Sequence, residues 1–201
     1  MPLSNLESAS STASFGGSLI AGVATGTGDL TRSGYILALS IGMLTIKGSI
    51  LGNQTNPAVI TFFGKNATES GFAVGSLTVG AGVEWAIIES FLPGGGHNVQ
   101  IGTVTIGGDW IASSLASGVR PVDANYGNGD DVLTTDISRI ASISIGGAII
   151  GTDSADSFGF TAHEIGAFTA LGKTFPRIAG AVDPEVTFSL ETGGDVKLRE
   201  L

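Results

Sequence analysis

Val104-Thr105-Ile106-Gly107-Gly108-Asp109-Trp110 is the stretch that decides the fold. Val104 and Ile106, two residues apart, project from one face of a strand and Thr105 from the other. A glycine step follows, then a new apolar residue. The same phrase recurs as Leu44-Thr45-Ile46-Lys47-Gly48-Ser49-Ile50, Leu77-Thr78-Val79-Gly80-Ala81-Gly82-Val83 and Ile143-Ser144-Ile145-Gly146-Gly147-Ala148-Ile149. Fainter copies centre on Phe15, Ala170 and Leu190. From Phe15 onward the centres are 31, 33, 27, 39, 25 and 20 residues apart, about 29 on average.

Glycines after a strand read as turns, because they accept backbone angles that other residues avoid. Ile50, Val83, Trp110 and Ile149 then start a second inward-facing strand. Ile60-Thr61-Phe62 and Phe158-Gly159-Phe160-Thr161-Ala162 read as a third. Two or three short strands per unit describe one coil of a solenoid, which buries its apolar side only by stacking on its neighbours.

The expected fold is therefore all-β: a right-handed parallel β-helix of about seven irregular coils. An antiparallel sandwich or barrel is the alternative, since many short strands with glycine turns suit it too. Residues 1–14 read as a Ser-rich flexible lead or cap, and residues 15–201 as one solenoid domain. Insertions near 116–139 and 152–164 lack clear strand alternation and are expected to project from the stack and carry binding. The closing stretch Asp195-Val196-Lys197-Leu198-Arg199-Glu200-Leu201 alternates, with outward charges expected to shield an end strand.

Composition narrows the function. The chain has 201 residues, 13% charged and 42% apolar, with 32 glycines, a net charge of −9 and a pI near 4.4. There is no basic footprint for nucleic acid or an anionic membrane. No apolar run reaches the roughly 20 residues of a membrane helix. With no cysteine, disulfides and thiolate metal sites are excluded. Met1-Pro2-Leu3-Ser4-Asn5-Leu6-Glu7 lacks the basic and apolar regions of a secretory signal, so we expect a domain taken from a longer exported protein.

The richest candidate site is the acidic loop Asp123-Ala124-Asn125-Tyr126-Gly127-Asn128-Gly129-Asp130-Asp131. Oxygen ligands at alternating positions, with glycines for a tight wrap, suit calcium. Asp123, Asn125, Gly127, Asp130 and Asp131 are the candidate ligands. Thr134 stands at the twelfth place, where an EF-hand needs Glu, so the loop is not an EF-hand. The other reading is a solvated turn, for which Asp and Asn are favoured by geometry alone.

Asp130, Asp131, Asp153 and Asp156 would form paired carboxylates if adjacent coils brought them together, with Arg120 or Arg139 as a basic partner. His97 and His163 are too few and too far apart to suggest zinc. Trp110 shares the repeat position of Val83 and Ile149 and reads as core. Trp85 and the loop residue Tyr126, expected to be exposed, are the candidates for stacking on a sugar ring.

Ile101-Gly102-Thr103-Val104-Thr105-Ile106-Gly107-Gly108-Asp109-Trp110, Gly127-Asn128-Gly129-Asp130-Asp131-Val132 and Ile140-Ala141-Ser142-Ile143-Ser144-Ile145-Gly146-Gly147 resemble glycine-rich segments of very large secreted or surface proteins of planctomycete-type bacteria. The resemblance covers most of residues 40–200. It implies export and a structural or adhesive setting, and it brings no catalytic residues. The expected function is a non-enzymatic structural or adhesive module of an extracellular protein, stiffened by calcium. Its expected partners are glycans or other copies of the surface protein. A carbohydrate-active or carbohydrate-binding β-helix is the alternative.

Overall fold

The computed structural model describes all residues except 1–10, 24–32, 67, 92–96, 124, 136–137, 153–155, 179–182 and 189–195. Three sheets run along a stack, and in each the parallel strands follow one another in chain order. The first holds Thr12–Phe15, Ile41–Ile46, Val74–Val79, Ile101–Ile106, Arg139–Ile145 and Glu164–Ala170, closed by antiparallel Lys173–Phe175. The second is made of two-residue strands at Leu19–Ile20, Ile50–Leu51, Val83–Glu84, Trp110–Ile111 and Ile149–Ile150. The third holds Tyr35–Ala38, Ala58–Phe62, Ala86–Ser90, Ser114–Ser117, Phe158–Ala162 and Val196–Glu200, closed by antiparallel Val186–Phe188. This is the parallel β-solenoid expected from the repeat. The two long sheets have seven strands each. Parallel pairing of successive coils sets aside the antiparallel sandwich or barrel.

Register matches the sequence phrase residue for residue. Ile46 pairs with Val79, Val79 with Ile106, Ile106 with Ile145, and Ile145 with Ala170; Phe15 pairs with Ile46. Ile50, Val83, Trp110 and Ile149 form the second ladder. All of these except Phe15 lie in one core. Leu190 and the glycines of the copy centred on it lie outside the described residues, as do residues 1–10 of the expected lead. Of the rest of that lead, Thr12 to Ser14 belong to the first strand.

The repeated glycines have a different cause from the one expected. Gly80, Gly107 and Gly146 do not have positive φ. Their requirement is space: a Cβ on Gly80 would collide with the Lys47 carbonyl oxygen, one on Gly107 with that of Gly80, and one on Gly146 with that of Gly107. Each corner rests its backbone directly on the corner of the preceding coil, and a side chain there would pry the layers apart.

Aromatic rings fill the C-terminal end of the core. Trp110 meets Phe160 at 4.9 Å, Phe160 meets Phe168 at 5.0 Å, and Phe175 and Phe188 from the closing strands pack on Phe168 at 5.6 and 5.3 Å. The Trp110 indole N–H donates to the Ser113 carbonyl at 2.9 Å, so a fully buried tryptophan leaves no unmet donor.

The last strand departs from its expected role. Val196–Glu200 is paired on both sides, so its charges do not shield an edge. Glu200 lies on the buried side with Val196 and Leu198. There it meets Arg177 Nη2 at 3.1 Å and accepts the N–H groups of Ile165 and Asp183, each at 2.7 Å. Asp183 holds Arg177 Nε at 3.2 Å. A buried guanidinium and two carboxylates thus tie the closing segment to the stack.

Candidate functional site

After Ser114–Ser117 the chain leaves the stack through Gly118, at φ 61°. Val119–Arg120 and Val132–Leu133 then pair antiparallel as the stem of a loop. The loop between them was expected to project. Instead it folds back across the outer side of the third sheet. Tyr126 packs with Ala116 and Val119, and Ile87, Leu133 and Leu201 surround this second small core. The fold-back explains why all four residues of Ser114–Ser117 are buried, although only alternate ones face the main core.

Two contacts seat the loop. The Tyr126 hydroxyl donates to Glu89 Oε2 at 2.6 Å, and Thr61 Oγ1 donates to Glu89 Oε1 at 2.9 Å. Gly127, at φ 89°, lies against Phe158 and Gly159 so closely that a Cβ on Gly159 would come within 2.6 Å of Gly127 Cα. Glycine is required on both sides of that contact.

The expected exposure of Tyr126 is therefore corrected: it is 3% exposed, because the loop turns its ring inward onto Ala116. Burial, with the Glu89 carboxylate beside it, pushes its phenol far above the ordinary tyrosine range.

The acidic residues serve the loop itself. Asp123 Oδ1 accepts the Asn125 N–H at 2.9 Å and Oδ2 accepts Asn128 Nδ2 at 3.0 Å. The Asn125 N–H is the main reason its carboxyl is held below the usual value. Asn128 Oδ1 accepts the Asp130 N–H at 3.3 Å. Asp131 Oδ2 accepts the Gly127 N–H at 2.7 Å. Burial pushes the Asp131 pKa up to about 6, against the opposing pull of that N–H and of the Arg199 charge.

Gly127 enters this network through its N–H. The Oδ1 atoms of Asp130 and Asp131 have no hydrogen-bond partner. Among the described residues, no three His, Cys, Asp or Glu side chains gather into a group that could hold a metal ion.

A cleft of about 170 Å³ opens beside the loop, lined among others by Gln54, Trp85, Asn125, Tyr126, Asp156 and Phe158. It brings the two aromatic candidates, Trp85 and Tyr126, to one site. Trp85 meets Phe158 edge-on at 5.7 Å, and Gln54 Nε2 donates to Asp156 Oδ2 at 3.3 Å. Trp85 and Ala112, each just after a paired second-sheet residue, have φ 47° and 43°. Left-handed backbone at such residues costs about 1–3 kcal/mol and clusters at functional sites.

The expected carboxylate group spans the loop and the cleft. Asp130 and Asp131 sit in the loop, Asp156 lies at the cleft, and Asp153 is outside the described residues. Arg139 pairs with Glu164 at 3.3 Å. Glu89, Gln54 and Phe158 belong to the site, yet sequence reasoning passed over them. Glu89 stands out only as the charged residue in Ala86-Ile87-Ile88-Glu89-Ser90, and nothing in the sequence names its partner. Comparison with family models, curated proteins and solved structures finds no match for this chain.

Proposed function

We propose that the chain is a non-enzymatic structural module of an extracellular or surface protein, one that holds a binding loop on a rigid stack. The observation that carries this is the unbroken inward ladder Ile46-Val79-Ile106-Ile145-Ala170. Each layer is stabilised by both neighbours, so the stack resists local opening. The low charge and the resemblance to surface-protein segments support the extracellular setting. Limited proteolysis tests it: cutting confined to segments outside the three sheets, followed by cooperative melting of the remainder, is the expected result. A glycan-cleaving turnover abolished by Asp130→Asn would replace this reading with an enzyme.

A second reading, carbohydrate binding, is favoured by the cleft that gathers Trp85, Tyr126, Gln54 and Asn125. Sugar sites combine an aromatic platform with a few amide and carboxylate groups. Glycan-array binding lost in Trp85→Ala, with the melt unchanged, supports it; a silent array removes it.

A further inference from the structure

The outer face of the first sheet carries two rows of side chains in which ten of twelve positions are Ser or Thr, the exceptions being Met43 and Ala167. One row runs Ser14, Thr45, Thr78, Thr105, Ser144 and Thr169, paired coil to coil. A second row, two residues earlier in each strand, runs Thr12, Met43, Ser76, Thr103, Ser142 and Ala167. None of these twelve is charged, in a chain of net charge −9, and none is buried. The ion pair Arg139–Glu164 and the exposed Lys47 lie outside the two rows. Ser142 Oγ donates to Thr103 Oγ1 at 3.3 Å, which orders the hydroxyls of these two neighbouring coils.

Neighbouring residues of a row are about 4.8 Å apart, and the two rows about 6.6 Å apart, as strand geometry dictates. Both repeats are on the scale of the oxygen spacings of hexagonal ice. A threonine offers such a lattice a methyl group, which orders the water around it, and a hydroxyl that anchors that water. Each contact is weak. A rigid array engages many at once, so their effects multiply without further loss of freedom. A dissolved molecule presents no matching two-dimensional repeat, and charges would bind disordered water more strongly than lattice water.

We propose that this face binds crystalline water, making the chain an ice-binding surface. The assignment is independent of the cleft, which lies against the third sheet.

The test is ice-recrystallisation inhibition and thermal hysteresis of the full chain. Two variants accompany it: Thr78→Lys/Thr105→Lys at the centre of the face, and Val132→Lys on the loop as a control. Circular dichroism melts establish that both variants are folded. Arrested recrystallisation by the parent and the Val132→Lys control, lost in the double variant, is the expected result. Absence of both activities in the folded parent overturns the proposal, as does retention of activity in the double variant. Sedimentation with microcrystalline cellulose, in a parent with no ice activity, would assign the face to a crystalline polysaccharide and likewise overturn it.

Discussion

Tyr126 reaches across the loop to Glu89 on the third sheet, its hydroxyl 2.6 Å from Oε2. Thirty-seven residues separate the two in sequence. This hydrogen bond joins the insertion to the stack. A bond to a charged acceptor is worth about 1.5–3 kcal/mol when it is removed. Tyr126→Phe is expected to lower stability by about 1–2 kcal/mol, since Thr61 still serves Glu89. Urea unfolding of the variant checks this, and an unchanged midpoint would mean that the contact contributes nothing net.

Asp131 gives the pH dependence a definite sign. Its pKa is raised to about 6 from an ordinary 3.8, so the folded state holds its proton more tightly than the unfolded state does. This group therefore favours folding most at low pH. Its contribution declines as pH rises from about 4 to about 6 and stays at its lower level above that. Asp131→Asn is expected to raise stability by about 1–2 kcal/mol at pH 7.5 and to have little effect near pH 4. Melting curves across that range decide it, and equal effects at both ends would refute the assignment.

Calcium makes a separate test of the same loop. Added calcium and chelator are expected to leave the melting temperature where it was, because among the described residues no three carboxylates gather around one point in the loop. An ion that binds only the native state must raise the melting temperature. A rise abolished by Asp130→Asn/Asp131→Asn would return the ion to this site.

Glycine substitutions separate layer contact from loop freedom. A Cβ on Gly107 would strike the Gly80 carbonyl, whereas one on Gly129 would meet nothing within 4 Å. Gly107→Ala is expected to cost about 2–4 kcal/mol by forcing two coils apart, within the range of severe steric changes. Gly129→Ala should stay within about 0.5 kcal/mol of the parent, as exposed substitutions do. Comparable losses at both positions would show that stacking is not the reason for glycine at the corner.

The Arg177 cluster should behave as a latch. Glu200→Ala leaves a buried guanidinium with Asp183 as its one remaining carboxylate, beside the Pro184 carbonyl. Breaking a buried pair in this way costs about 3–5 kcal/mol. Arg177→Met/Glu200→Met, which removes both partners, should cost less. Denaturation of the two variants side by side measures the difference.

Most of the stack was readable because its information is local. The alternation of Val104 and Ile106 and the recurrence of Val83, Trp110 and Ile149 fix strands and register within a few residues of each other. The reason for Gly107 was not readable, since the atom it must avoid belongs to Gly80 in the preceding coil. The loop presented the same difficulty in sharper form. Asp123-Ala124-Asn125 suggests both a ligand set and an Asx turn, and only the path of the chain decides where each oxygen points. Tyr126 looked exposed because its neighbours are polar. Its burial depends on Ala116 and Ile87, which supply an apolar patch on a surface that ordinarily faces water.

The antiparallel strands Lys173–Phe175 and Val186–Phe188 give the molecule a direction. At the opposite end, Thr12–Phe15, Leu19–Ile20 and Tyr35–Ala38 are each outermost in their sheets among the described residues. A parallel stack can be lengthened only where a strand edge continues its order. Among the described residues both long sheets present a parallel strand on the Thr12 side and an antiparallel one at the other end. Another stack laid against this one would therefore continue both long sheets in parallel order at the Thr12 side, whereas at the Arg177 end it would meet antiparallel strands.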